Sequence, residues 1–153
     1  MAKAMLTGSF DPVTLGHVDV VKKALERFDE VCVAMLINPD KVYTFSWEKR
    51  LRMLKATFEP MGVAVYAGTG LAVDLAKEVG ADVMVRGIRR GDEQYEQELA
   101  ALNMKIGGVP TEFVYADGRF AGVSSTVVKN RLKAGEDVTD LVPASIIKEI
   151  LEV

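Results

Sequence analysis

The sequence offers little of the chemistry that cysteine and histidine provide, since its 153 residues include one of each. The lone cysteine, Cys32, cannot form an internal disulfide and lacks partners for a metal site, which indicates a reducing cytoplasm. No apolar run approaches the roughly 18 residues that a membrane span needs. The first residues also lack the extended apolar segment that a secretion signal contains. We therefore expect a cytoplasmic protein without membrane contact.

An excess of positive charge is also missing. The formal net charge is −3, whereas a nucleic-acid-binding domain is normally basic. With 49% hydrophobic residues, 27% charged residues and five prolines, the composition is that of a folded globular protein. A chain of this length closes one hydrophobic core more readily than two. We expect a single domain over residues 1–153 that does not act mainly on nucleic acid.

Five short, valine-rich runs have the pattern of buried strands. They are AKAMLTG, EVCVAMLIN, GVAVYAG, ADVMVRG and TEFVYAD. The other segments predict helices from about Val18 to Phe28, Ser46 to Phe58 and Leu71 to Val79, along the stripe Tyr95, Leu99, Leu102 and Ile106, from Ser124 onward, and after Pro143. We interpret the stripe as part of the core or of an interface. The alternation predicts an α/β fold, a single doubly wound, five-stranded parallel sheet with helices on both faces.

The segments that follow the five strands are rich in basic residues and glycine. Ligands of open parallel sheets bind beyond the carboxyl ends of the strands, where GSFDPVTLGH, NPDK, GTGL, RGIRRGDEQYE and ADGRFAGVSST would meet. These segments contain Lys41, Arg86, Arg89, Arg90 and Arg119, with hydroxyl residues 124–126 at a helix start. Such groups suit a polyphosphate. We expect an anionic ligand, although the G-x-x-x-x-G-K-[ST] loop is absent and no complete dinucleotide fingerprint is present.

The first of these segments contains the only histidine. Gly8 lets the backbone approach a ligand closely, and His17 belongs to the first turn of a predicted helix. From there the imidazole can donate a hydrogen bond to a phosphate as charge builds in a transition state. We interpret Asp11 as a turn residue before proline. Thr14 suits two roles equally, helix cap and phosphate contact.

The segment TLGH resembles the T/H-x-G-H signature of the nucleotidyltransferase superfamily. Together with GSFDPVTLGH, RGIR, YE and VSSTVVK, in this order over nearly the whole chain, it is similar to the bacterial phosphopantetheine adenylyltransferase family. The resemblance implies a Rossmann-like fold and transfer of the adenylyl group of ATP to 4′-phosphopantetheine, giving dephospho-coenzyme A and pyrophosphate without a covalent enzyme intermediate. It also implies Mg²⁺ as cofactor, a homohexamer, and coenzyme A as a candidate feedback inhibitor.

The resemblance also implies roles for individual positions. The ATP-binding positions are Ser9, Phe10, His17, Gly87, Ile88, Arg89, Glu96, Phe120, Ala121, Gly122, Val123, Ser124, Ser125 and Thr126. The acceptor-binding positions are Ser9, Lys41, Ala72 and Arg86. His17, Lys41 and the helix start at Ser125 would share the charge that develops in the transition state. No protein side chain is assigned to the metal.

Two other hypotheses remain open. One is a sibling nucleotidyltransferase with another acceptor, such as nicotinamide mononucleotide or glycerol phosphate, although those enzymes usually carry histidine where this chain has Thr14. The other is a non-catalytic nucleotide-binding module that keeps the pocket without the chemistry. Pyrophosphate release with each acceptor distinguishes the three.

Overall fold

The computed structural model of the protein describes residues 2–152. Its strands are β1 (Lys3–Gly8), β2 (Glu30–Ile37), β3 (Ala64–Thr69), β4 (Val83–Ile88) and β5 (Thr111–Tyr115). Its helices are α1 (Leu15–Arg27), α2 (Trp47–Phe58), α3 (Ala72–Val79), α4 (Glu93–Gly107), α5 (Ser125–Lys133) and α6 (Ile147–Leu151). Every strand and helix expected from the sequence is present. Within residues 2–152, no helix is long and apolar enough to cross a membrane.

The five strands form one parallel sheet in the order β3-β2-β1-β4-β5. The central strand, β1, pairs with β2 along its whole length, from Lys3 opposite Glu30 to Gly8 opposite Met35, and with β4 on its other side. The chain thus builds outward to β3 and then returns to add β4 and β5. This reversal opens a crevice beyond the carboxyl ends of β1 and β4, where doubly wound sheets bind ligands. The predicted fold class is confirmed.

Side chains of the central strand alternate between two apolar clusters, as the two-residue period of a strand requires. Ala4 and Leu6 belong to a large cluster that also includes side chains of α1, α2 and α5. Met5, between them, belongs to a smaller cluster with Val73 and Ala76 of α3. Helices therefore cover both faces of the sheet. This explains why the strands are apolar along their length and not only at every second residue.

The apolar stripe on α4 lies largely at the surface. Tyr95, Leu102 and Ile106 are 65%, 49% and 52% exposed, respectively. Its interpretation as core is therefore wrong within this chain, and its interpretation as an interface remains a prediction. The buried residue of α4 is the charged Glu96. Helical periodicity indicates a face that favours burial. It does not indicate whether other segments of the same chain or another molecule pack against that face.

Candidate active site

The segment between β1 and α1 ends in a capping box built from Thr14 and His17. Thr14 is the N-cap residue, and its hydroxyl accepts the main-chain N–H of His17 at 3.4 Å. The main-chain N–H of Thr14 in turn donates to Nδ1 of His17 at 2.9 Å. The pair satisfies N–H groups that lack partners at a helix start. Of the two roles suited to Thr14, the cap is present, and the residue also lies on the cavity wall.

The hydrogen bond at Nδ1 determines which form of the imidazole is present. Because Nδ1 accepts a main-chain N–H, the neutral ring carries its proton on Nε2. Nε2 makes no hydrogen bond with any residue in the range 2–152. Burial and, to a lesser degree, the positive charge of Arg86 lower the pKa of His17 from 6.5 to about 4. At neutral pH, His17 is therefore a neutral side chain with one free donor.

Phe10 packs against the imidazole. The two rings meet edge to face with centroids 4.8 Å apart, and Phe10 is buried. Its φ of 47° lies in the left-handed region, which aromatic residues seldom adopt. A Cβ at residue 8 would lie 3.3 Å from the Phe10 ring, so Gly8 leaves room for this conformation. Phe10 thus positions His17 and does not itself line the cavity described next.

His17 lies on the wall of a cavity of about 600 Å³ between the starts of α1 and α5 and the ends of β4 and β5. The predicted ATP-binding residues on its wall are His17, Gly87, Ile88, Arg89, Phe120, Ala121, Val123, Ser124 and Ser125. Ser9, Phe10, Glu96, Gly122 and Thr126 do not line it. The wall also contains residues outside the predicted ATP-binding set: Gly16, Val20, Arg90, Tyr115, Ala116 and Gly118. These residues lie beside the predicted ends of strands and helices, and that position in the sequence could have identified them as cavity residues.

The N-terminus of α5 forms one side of this cavity. Ser124 caps the helix, because its hydroxyl accepts the main-chain N–H of Val127 at 3.1 Å. The hydroxyl of Ser125 donates to the main-chain oxygen of Pro12 at 2.8 Å. Main-chain N–H groups in the first turn of a helix attract anions. The hydroxyl of Ser125 thus holds the first loop against α5, and its main-chain N–H lies in the turn where an anion would be attracted.

Two of the cations expected at the strand ends share the cavity. Arg89 and Arg90 follow β4 and line it, and Nη2 of Arg89 donates to the main-chain oxygen of Ala121 at 3.3 Å. Arg119 does not line the cavity, and its guanidinium group lies 4.7 Å from the ring centroid of Phe120, which does. The positive charge of this wall therefore comes mainly from the segment after β4.

Arg86 is held by an ion pair that the sequence did not reveal. Its Nε and Nη2 donate to the two carboxylate oxygens of Glu96 at 3.1 and 3.0 Å, and its Nη1 donates to the main-chain oxygen of Thr7 at 3.1 Å. Glu96 is 7% exposed. Both of its oxygens thus serve Arg86, whose charge in turn acts on His17. No local pattern could have predicted this pairing between a strand and a helix.

The predicted acceptor-binding residues are not gathered with His17. Lys41 lines a second, more open cavity of about 280 Å³, together with Tyr43, Trp47 and Arg50. Ser9, Ala72 and Arg86 line neither of these two cavities. Their role in binding an acceptor therefore stays a prediction.

Asp11 connects three segments. Its carboxylate accepts the main-chain N–H groups of Thr44 and Phe45 at 2.9 and 3.0 Å, and Nζ of Lys129 on α5 lies 3.6 Å from it. The structural role expected for Asp11 is present. It extends beyond the local turn, because the same carboxylate joins the first loop to the loop before α2 and to α5.

The residues of the cavity do not form a magnesium site of their own. Its wall carries no carboxylate, and the hydroxyls of Thr14, Ser124 and Ser125 are engaged as described above. Within residues 2–152, no group of three or more His, Cys, Asp or Glu side chains could hold a metal ion. Mg²⁺ requires several oxygen ligands and commonly takes them from phosphates and water.

Known proteins share both the sequence and this architecture. Residues 5–131 match the Cytidylyltransferase-like family. The phosphopantetheine adenylyltransferase of Micrococcus luteus is 41% identical over 151 residues, which cover 97% of this chain and 96% of the relative. That of Flavobacterium psychrophilum is 39% identical over 149 residues, with 95% and 98% coverage. This chain belongs to the phosphopantetheine adenylyltransferase family.

A crystal structure from Vibrio parahaemolyticus, of a protein described as a candidate nicotinate-nucleotide adenylyltransferase, has the same fold. It superimposes with a TM-score of 0.69 over 99% of this chain and 93% of the other, at 18% identity. This similarity concerns the fold alone. The family resemblance inferred from TLGH, RGIR and VSSTVVK is confirmed by the relatives.

Proposed function

We propose that this protein transfers the adenylyl group of ATP to 4′-phosphopantetheine, giving dephospho-coenzyme A and pyrophosphate, a step of coenzyme A biosynthesis. The observation that carries the proposal is the free Nε2–H of a neutral His17, in one cavity with Arg89 and the N-terminus of α5. A preorganised donor, a cation and a helix dipole together suit the phosphates of ATP. The names of the relatives from Micrococcus luteus and Flavobacterium psychrophilum support the choice of acceptor.

The reaction needs no nucleophile from the enzyme. An oxygen of the acceptor phosphate attacks the α-phosphorus of ATP, the bond from that phosphorus to the bridging oxygen breaks, and pyrophosphate leaves with the electron pair. The one thiol of the chain, Cys32, is buried in β2 and takes no part. Catalysis then consists of positioning and of charge neutralisation. His17 donates from Nε2 to the α-phosphate as its oxygens gain charge.

We propose that Ser9, Lys41, Ala72 and Arg86 bind the acceptor. Lys41 would also help His17 and Ser125 to neutralise the charge that develops in the transition state. Two observations support this side of the site. Arg86 is close enough to His17 to lower its pKa, and Lys41 follows β2, the neighbour of β1 in the sheet. An acceptor phosphate near Arg86 would therefore be near the catalytic donor as well.

Magnesium would reach the site as part of the substrate. Because no carboxylate lines the cavity, the phosphates of MgATP would carry the ion, and the ion would offset the charge of the departing pyrophosphate. The chain contributes its own donors, from His17, Arg89 and the first turn of α5. A requirement for added Mg²⁺ that scales with the ATP concentration would agree with this arrangement.

We also propose that copies of the chain associate through α4 into a homohexamer in the cytoplasm. The exposed Tyr95, Leu102 and Ile106 support an interface, because exposed apolar groups at helical spacing mark contact surfaces. Sedimentation of the native protein and of Ile106→Glu tests this, with a smaller species expected for the variant.

Coenzyme A, which retains both parts of the product, is proposed as a feedback inhibitor. The test is whether it slows pyrophosphate release.

A panel of acceptors tests the proposed reaction. Pyrophosphate release is measured with MgATP and 4′-phosphopantetheine, nicotinamide mononucleotide or glycerol phosphate, each offered alone. We expect release with 4′-phosphopantetheine only, and almost none from His17→Ala. Release with another acceptor would assign the chain a different substrate, and no release with any of them would contradict an enzymatic role.

A further inference from the structure

Arg50 is a fully buried cation that has no acidic partner among the described residues. It belongs to α2, is 1% exposed, and is the largest fully buried side chain of the described residues. Within residues 2–152, no carboxylate oxygen lies within 4.0 Å of its guanidinium nitrogens. A buried charge is costly unless other groups compensate it. The contacts that replace a carboxylate therefore indicate what Arg50 does.

Two of these contacts are carbonyl oxygens from different loops. Nη1 of Arg50 donates to the main-chain oxygen of Ser9 at 2.8 Å, and Nε donates to that of Phe45 at 3.1 Å. The first oxygen belongs to the segment after β1, and the second to residues 38–45 after β2, here termed the acceptor loop. The same two segments are joined a second time by Asp11, which accepts the N–H of Phe45. Arg50 thus fixes the acceptor loop against the loop that leads to His17.

The third contact is an aromatic ring of the acceptor loop. The guanidinium carbon of Arg50 lies 3.7 Å from the ring centroid of Tyr43, a stacking distance. The hydroxyl of Tyr43 accepts the main-chain N–H of Asn38 at 2.9 Å, and Nζ of Lys41 lies 5.5 Å from the same ring centroid. The ring therefore links Arg50 to both ends of the turn that carries Lys41.

We propose that Arg50 is a positioning residue for the acceptor phosphate. It holds the acceptor loop, and with it Lys41, at a fixed place relative to Ser9. The inference rests on the proposed function, in which Ser9 and Lys41 bind 4′-phosphopantetheine. A planar guanidinium group can bond two carbonyls and stack on a ring at once, whereas a lysine ammonium group is a compact point charge on a flexible stem. This geometry explains why a buried arginine occupies the position.

The test separates positioning from general stability. Steady-state constants for 4′-phosphopantetheine and for ATP are measured by pyrophosphate release for the native protein, Arg50→Met and Arg50→Lys. We expect Arg50→Met to raise the KM for 4′-phosphopantetheine about 10- to 100-fold, since a misplaced binding group costs affinity for its own ligand. The KM for ATP should change by about twofold or less. Arg50→Lys should fall between Arg50→Met and the native protein.

Two control variants lie on the same helix. Met53→Ala removes a buried apolar side chain of the core and destabilises the fold, but it leaves the hydrogen bonds of Arg50 to Ser9 and Phe45 in place. Arg52→Met removes an exposed arginine that pairs with Glu149. Neither control should change the KM for 4′-phosphopantetheine by more than about twofold. A rise for Met53→Ala as large as for Arg50→Met would reduce Arg50 to a stabilising residue and overturn the proposal.

The affinity for 4′-phosphopantetheine can also be measured directly, without turnover. This measurement remains usable if Arg50→Met folds poorly and only Arg50→Lys is soluble. Trp47 is the only tryptophan and lies on the wall of the cavity that contains Lys41 and Arg50. Its fluorescence is followed as 4′-phosphopantetheine is added without ATP, and we expect weaker binding by each Arg50 variant than by Arg52→Met.

The outcomes distinguish the two proposals. A native protein that releases no pyrophosphate with 4′-phosphopantetheine contradicts the proposed function. A native enzyme that is active, with folded Arg50 variants whose acceptor affinity is unchanged or whose two KM values rise equally, contradicts the positioning role alone.

Discussion

The main-chain N–H of Thr14 donates a hydrogen bond of 2.9 Å to Nδ1 of His17. This bond belongs to the capping box of α1, so the start of the helix also sets the orientation and tautomer of the imidazole. A neutral Nε2–H donor binds a growing negative charge without the strong attraction that an imidazolium ion would have for ground-state phosphates. Such a donor favours the transition state over the substrate, which is what raises turnover.

The protonation state of His17 can be measured directly, because it is the only histidine. We expect its imidazole C–H signals in NMR spectra to titrate with a pKa near 4 instead of 6.5, since burial and the charge of Arg86 disfavour the charged ring. A midpoint near the unperturbed value would contradict the assignment of a neutral donor.

The same pKa makes stability depend on pH. Between pH 6.5 and about 4 the unfolded chain binds a proton that the folded chain does not, so the free energy of unfolding decreases as the pH falls through this window. The His17 residue is half-buried by its solvent exposure, so solvent screens part of this effect, and we expect a loss of about 2 kcal/mol from this group. Urea unfolding of the native protein and of His17→Gln measures it, because the variant lacks this contribution and keeps the titration of the carboxylates.

Removal of the imidazole should reduce turnover more than binding. We expect His17→Ala to lower kcat about 10²- to 10³-fold, the loss typical for one preorganised donor. The KM for ATP should change much less, because the contact strengthens only as charge develops. Rates are compared at saturating substrates after circular dichroism has established equal folding. A variant with near-native kcat and a raised KM would make His17 a binding residue only.

The fold could be predicted because its signals are local. Valine-rich runs such as EVCVAMLIN produce strands that are buried on both faces, and Ser46 and Ser124 cap helices where a hydroxyl precedes an amphipathic segment. The cavity followed from the same logic, since the ends of parallel strands meet at one edge of the sheet. These inferences need only the order of residues along the chain.

The parts that could not be predicted depend on packing between distant segments. Glu96 has the position of an exposed helical residue, yet it is buried against Arg86. Arg50 and Asp11 join loops through carbonyl and N–H groups, which leave no trace in side-chain patterns. The surface position of Leu102 depends equally on what the rest of the chain leaves uncovered.

The contact between α4 and α3 is predicted to require glycine at position 107. A Cβ there would lie 2.6 Å from Cβ of Val73, a buried residue of α3. We expect Gly107→Ala to lower the free energy of unfolding by about 1–3 kcal/mol through overpacking. Val73→Gly removes the opposing Cβ, so the double variant should lose less than the sum of the two single variants. Thermal unfolding measures each step. Gly118→Ala is the control, because nothing lies within 4 Å of its added Cβ, and equal losses at the two glycines would refute the contact.

The ion pair of Arg86 and Glu96 allows two assignments of Glu96 to be separated. The family resemblance implies contact with ATP, whereas both carboxylate oxygens here accept hydrogen bonds from Arg86 at 3.0 and 3.1 Å. If Glu96 acts through Arg86, Glu96→Gln releases the guanidinium group from its place. The KM for 4′-phosphopantetheine should then rise, and the KM for ATP should remain nearly constant. The fold should lose about 2 kcal/mol, because the variant leaves a partly buried charge without its counter-ion.

Steady-state kinetics of Glu96→Gln, Arg86→Ala and the double variant distinguish these roles. Two residues that act through one contact should not add their effects, so the double variant should be about as impaired in acceptor binding as Arg86→Ala alone. Glu98→Gln, an exposed change on the same helix, is the control for the loss of one negative charge. A rise in the KM for ATP, confined to the Glu96 variants and absent from Arg86→Ala, would instead mean that Glu96 leaves Arg86 and binds the nucleotide when ATP enters.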